Sequence, residues 1–234
     1  MALSVLSICQ EALDGIGVDP PGSITTGGDL GNRLRGIANA VGQSLATRYD
    51  WQQLKAEATF VTNNSSEVQY TKPETVRKVL DETIWNRTTQ RRLFNLTTQG
   101  WNRIKSDGIS PATEVYYWRG NQMLMPLETI TAGQTIAFEY IDNRWVSNAA
   151  GTTFTRRFAG DTEIPRLDDH MFVLGVRWRY LQSLGLEYGE HFREYEDYVH
   201  QKQAENEPRE TMSLNPYHRS EGYDTQIPDG NWNQ

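Results

Sequence analysis

Glu187, Glu190, His191 and Glu194 place three carboxylates and an imidazole on adjacent turns of one predicted helix, the groups from which half a di-iron site is built. Such a centre needs a second Glu-x-x-His helix, and no partner motif accompanies it. Tyr188 and Phe192 interleave these groups and point into an apolar seam, so a solvated face with i,i+3 and i,i+4 pairs is the plainer account. Gly27-Gly28-Asp29-Leu30-Gly31 precedes a helix as a phosphate loop does, yet it contains no lysine and follows no strand. Seven Trp and eleven Tyr offer sugar-stacking surfaces, but a glycosidase also needs two carboxylates a few ångströms apart, which sequence alone cannot pair. Most of these aromatics fall on predicted core positions. His170, His191, His200 and His218 lack metal-ligand spacing, and no Ser or Cys stands in a nucleophile elbow. The expectation is a protein that is not an enzyme and holds no cofactor and no metal.

The elements that would carry these residues are bounded first by composition. A chain of 234 residues with 37% hydrophobic content can bury one good core or two small ones. The net charge of −7 argues against a nucleic-acid-binding surface over the whole protein, although Arg91-Arg92 and Arg156-Arg157 form local basic doublets. Cys9 is the only cysteine, so no intrachain disulfide can form, and its apolar surroundings suit a small core residue. Neither a signal peptide nor a run of about 18 apolar residues is recognisable, which predicts a protein kept in a cytoplasm or in something assembled there, with no membrane partner.

Along the chain, Val5, Cys9, Ala12, Leu13 and Ile16 share one helical face that Gly15 to Pro21 terminates. Asp29 can cap a second helix carrying Leu34, Ile37, Val41 and Leu45 and ending near Tyr49-Asp50-Trp51. From Ala56 the period becomes two: Ala58, Phe60 and Thr62 alternate with Glu57, Thr59 and Val61, which reads as a hairpin strand closed by Asn63 to Ser66. Val115 to Arg119 and Gln122 to Met125 flank Gly120-Asn121 as a second hairpin, and Gln134 to Ile141 forms a third strand after Ala132-Gly133. Between these strands a short helix can carry Trp101 and Ile104.

Leu167, Met171, Leu174, Trp178, Leu181, Tyr188, Phe192, Tyr195 and Val199 then follow at steps of four and three, with Gly185 alone blank in the series. They predict one helix of roughly 50 Å whose seam packs on other helices or other subunits. Gly175, Gly185 and Gly189 either break that helix near 185–189 or admit another backbone closely. The fold class is α+β: a helical bundle (1–54 and 166–204), an inserted antiparallel β domain (55–165) and an extended C-terminal arm (205–234).

The arm has six apolar residues in thirty, too few to offset its own ordering entropy. Met212, Leu214, Tyr217, Tyr223, Ile227 and Trp232 are spaced among Pro208, Pro216 and Pro228. They read either as a plain solvated tail or, the favoured reading, as anchors that dock in a partner's groove.

This order of parts resembles the head-to-tail adaptor, or tail tubular protein A, family of short-tailed bacteriophages. The resemblance rests on Arg48-Tyr49-Asp50-Trp51 leading to the strand at Ala58, Tyr70-Thr71-Lys72-Pro73, Pro111 with Val115-Tyr116-Tyr117, Leu124-Met125-Pro126, Phe138-Glu139-Tyr140 and Ile164-Pro165. It spans roughly residues 1–204, and Lys72 departs from the apolar residue expected before Pro73. It implies a structural, twelve-subunit ring in the virion, assembled in the host cytoplasm. The partners it implies are the portal protein, bound by the arm, the tail nozzle or tail tube protein, further copies of the chain, and DNA sliding through the channel. An acidic balance suits that passage, since phosphate contacts would add counterion-release affinity along the path. The alternative is a virion carbohydrate-binding or depolymerising tail protein, which predicts an open acidic cleft lined with aromatics.

Overall fold

A computed structural model describes residues 2–107, 111, 113–127 and 130–206. Helices α1 (Val5–Asp14) and α2 (Gly28–Arg48) come first. Strands β1 (Lys55–Val61), β2 (Val68–Thr71), β3 (Val76–Val79), β4 (Trp85–Asn86), β5 (Arg91–Arg92) and β6 (Phe94–Asn95) follow. Helix α3 (Thr98–Asp107) precedes β7 (Val115–Arg119), β8 (Gln122–Leu124), β9 (Thr135–Asp142), β10 (Val146–Ser147), β11 (Phe154–Thr155) and β12 (Ile164–Pro165). Helices α4 (Asp169–Ser183) and α5 (Gly189–Asn206) complete a mixed α+β fold.

Ser4 caps α1, its hydroxyl accepting from the Ser7 N–H at 3.2 Å, and Val5, Ile8, Cys9, Ala12 and Leu13 are buried as their spacing predicts. Asp29, read as a cap, lies instead in the first turn of α2 after Gly27, where the helix dipole still favours its charge. Two hydrophobic clusters form. The first joins α1, α2, α4 and α5, and it also takes in Ile141, Trp145, Val146 and Phe158 from the later β segment. Trp145 stacks on Phe172 at 5.7 Å, and its edge meets Phe158 at 5.0 Å. The second cluster lies between β strands and holds Ile84, Leu93, Tyr116, Met123, Met125, Ile130, Ile136 and Phe138.

Local pairing is as expected at β7–β8, where Gly120 alone of the two loop residues has positive φ, the pattern of a type II′ turn. It fails at β1. That strand is no hairpin arm: all seven residues pair antiparallel with distant β9, from Lys55 opposite Ile141 to Val61 opposite Thr135. The order β1-β9-β4-β5 leaves β1 at the edge, while β2 joins a separate sheet ordered β2-β8-β7-β6. The alternation was legible because it reports only which face is buried, and a partner 80 residues away satisfies it as well as a neighbour does.

The long seam helix is also corrected: it is two helices folded back on each other. α4 ends in a Schellman motif, with Gly185 N–H donating to Gln182 O at 3.0 Å and Leu186 N–H to Leu181 O at 3.1 Å. Gly185 sits at φ +71°, a left-handed conformation that glycine adopts without Cβ strain. Continuous helical spacing concealed a reversal because a hairpin brings both halves of one apolar series onto a shared interface. Gly175 takes its other predicted role: an added Cβ would lie 2.6 Å from Val41 Cγ1 of α2, so glycine admits that helix.

Candidate assembly interface

Asp168 starts the hairpin, its carboxylate accepting from His170 N–H at 3.0 Å and Met171 N–H at 3.4 Å. The neighbouring Asp169 ties the N-terminus of the chain to this helix by accepting from Leu3 N–H at 2.7 Å, and burial raises its carboxyl above the ordinary range. The seam residues then divide. Leu167, Met171, Leu174, Trp178 and Leu181 are buried from the α4 side, and Tyr195 and Val199 from α5. Tyr188 is half-buried, and Phe192 is 40% exposed. Trp178 is the hub, with ring centroids 6.1 Å from Tyr188, 5.1 Å from Phe192 and 6.0 Å from Tyr195. Of the two roles the seam's spacing allowed, packing on other helices or on other subunits, the first takes most of the stripe, which packs on α1, α2 and α5.

What stays open is the hairpin tip. Leu184 is 43% exposed and Leu186 53%, and with Phe192 they put three large apolar side chains around one turn. α4 separates this turn from Asp169 by about 22 Å, at 1.5 Å per residue over its 15 residues. Spacing did not single out Leu184 or Leu186, which lie off the four-three series. Reading Gly185 as a helix stop would have placed both in a turn, where leucine is exposed.

The arm residues Met212, Leu214, Tyr217, Tyr223, Ile227 and Trp232 lie outside the described residues. Its first two residues do not: Glu205 and Asn206 belong to α5, and Glu205 accepts from Lys202 Nζ at 2.8 Å. Asn206 Oδ1 accepts from Gln52 N–H at 3.2 Å, which brings the end of α5 beside the start of β1.

A concavity of about 520 Å³ opens on the outer face of β1, β9 and β4 and is lined by Glu57, Glu139, Trp85, Arg87, Gln90 and Thr83. Antiparallel register sets Glu57 directly opposite Glu139, a like-charge pair that costs stability unless neutralised, and the Arg87 guanidinium donates to Glu57. Asn86 shapes the rim from within: it is fully buried, its amide donates to Glu114 at 2.9 Å and Gln134 at 3.0 Å, and its oxygen accepts from Thr88 N–H at 3.0 Å. The cleft can hold a polar ligand by stacking and carboxylate hydrogen bonds. No spacing pointed to it, because its walls come from strands 80 residues apart.

Arg193 meets Glu190 at 3.4 Å and His191 meets Glu194 at 3.8 Å along the exposed face of α5. Gly27 and Gly31 pack on Ser23 and Ile24 backbone, so their crowding is internal to the fold. Burial, with Asp161 adding, pushes the Cys9 thiol up to about 12. Among the described residues no group of three His, Cys, Asp or Glu is placed to hold a metal ion, and no helix is long and apolar enough to cross a membrane. Compared with known proteins, the chain matches no protein-family model and no curated sequence.

Proposed function

We propose that this chain is a structural, non-enzymatic head-to-tail adaptor of a tailed bacteriophage. In this reading twelve copies form a ring that joins the portal to the tail nozzle and lets DNA pass without specific binding. The observation that carries it is the apolar tip of Leu184, Leu186 and Phe192, held out on a helical hairpin braced by Trp178, beside an ordered series of motifs that resembles the adaptor family. Exposed large apolar side chains on a helical hairpin suit subunit contact, because their burial gains hydrophobic free energy with little ordering cost. The arm is assigned to the portal, and the ring to the virion, after assembly in the host cytoplasm.

Light scattering on the purified protein, alone and mixed with portal rings, tests this. The expected result is a monomer that joins portal in about a dozen copies, with Leu186→Glu/Phe192→Glu folded but deficient in joining. A double variant that joins normally would remove the tip from the interface. The second reading, a carbohydrate-binding tail protein, is favoured by the cleft of Glu57, Glu139 and Trp85. A stable trimer without portal affinity that binds oligosaccharide and loses it in Trp85→Ala would replace the adaptor reading.

A further inference from the structure

The register of β1 decides which of its backbone groups are free. Thr62 N–H donates to Gln134 O at 2.9 Å, so in this antiparallel ladder the even residues Ala56, Ala58 and Phe60 exchange bonds with β9. The odd residues therefore point N–H and C=O away from the sheet. Lys55 N–H is taken by Gln52 O in the preceding turn. The backbone groups of Glu57, Thr59 and Val61 have no hydrogen-bond partner among the described residues, and all three residues are exposed. An edge of this kind is a template for another strand.

The chain supplies one at the right place. Asn206 ends α5 with its side chain held to Gln52 N–H, three residues before β1 begins, so the described chain ends at the head of the free edge. Between Pro208 and Pro216 the sequence reads Arg209-Glu210-Thr211-Met212-Ser213-Leu214-Asn215, with Met212 and Leu214 alternating with polar residues. That proline-free run has the seven-residue length of β1. A strand led off from Gln52 alongside β1 would be parallel to it. Counted residue for residue from that point, Met212 would pair with Ala58 and Leu214 with Phe60, two residues that pack against the β cluster.

We propose that the open edge of β1 is a strand-addition site for residues 209–215 of the same chain, paired in parallel and extending the apolar row of Ala58 and Phe60. The tether of two residues gives an effective concentration in the millimolar range, far above that of a second copy in solution. Edge pairing does not depend on the adaptor reading. One consequence rests on that reading: portal would have to draw Met212 and Leu214 off β1, so the arm is kept in place until portal arrives.

Hydrogen exchange on the full chain tests the pairing, against a full-length Met212→Pro/Ser213→Pro variant. Successive N–H groups of a strand point to opposite edges, so one of the two prolines removes a donor facing β1 in any register. The expected result is exchange at Glu57, Thr59 and Val61 about tenfold or more slower in the unaltered chain than in the variant. Ala58 and Phe60, bonded to β9, should be equally protected in both, which shows that the fold is intact. Equal exchange at the three odd positions overturns the proposal. Protection that disappears on dilution together with a dimer mass also overturns it, assigning the edge to a second copy. Loss of portal binding would bear on the adaptor reading alone.

Discussion

Two glycines of α2 should respond to alanine with opposite signs. A Cβ on Gly42 would lie within 2.6 Å of three atoms of the Trp145 ring. That indole is fully buried between Phe158 and Phe172, so it has no open direction in which to yield. Overpacking of a rigid core costs about 1–3 kcal/mol, and the upper end applies here because the clash is with a ring instead of a flexible chain end. Replacing a mid-helix glycine returns about 1 kcal/mol of propensity, which leaves a net loss of about 2 kcal/mol. For a chain of this size that lowers Tm by about 4–8 °C. Gly36 has nothing within 4 Å of an added Cβ, so Gly36→Ala keeps only the gain and should raise Tm by about 2–4 °C. Urea titrations checked for an unchanged m-value provide the assay. If Gly42→Ala is neutral or stabilising, as Gly36→Ala should be, the packing of α2 on Trp145 is wrong.

Asp142, with a side chain 3% exposed, pairs with Arg144 at 2.7 Å and Arg166 at 3.4 Å where β9 meets the helical core. Asp142→Ala removes the carboxylate that both guanidinium groups share and should cost about 3 kcal/mol in urea unfolding, the low end for a broken buried pair because the arginines keep some solvent and Arg166 still donates to Arg144 O and Gln53 O. A loss under about 1 kcal/mol would deny that cluster a structural role. Glu196 accepts two bonds from Arg48, at 2.7 and 2.5 Å, and this pairing holds its carboxyl below the ordinary range. Since the folded pKa is depressed, the pair stabilises the fold above the unfolded value of about 4.3 and is lost as pH falls through the folded one. A double-mutant cycle of Arg48→Met and Glu196→Gln should give about 0.5–1 kcal/mol of coupling at pH 7, falling as pH drops below the unfolded value of about 4.3. Coupling that persists in acid would assign the contact to packing.

Much of the fold was legible before any coordinates, because local rules govern it. The apolar face of α1, the glycine stop after it, the face of α2, the Gly120-Asn121 turn and the alternation of β1 each follow from a period or from one residue's backbone freedom, whereas central β9 also buries Ala137 of its other face. A break near Gly185 follows from the same chemistry, although the continuous spacing obscured the reversal. Tertiary structure decided everything that depends on which surfaces meet. A continuous seam from Leu167 to Val199 fits one long helix or a hairpin equally well, and only packing of Trp178 against Tyr195 selects the hairpin. A period of two names the buried face of β1 but not its partner, so the pairing with β9, the open edge, and the meeting of Glu57 with Glu139 emerge only when the chain closes on itself. Periodicity records burial by neighbours within a turn or a pleat, whereas interfaces and clefts arise from residues whose separation along the chain leaves no such trace.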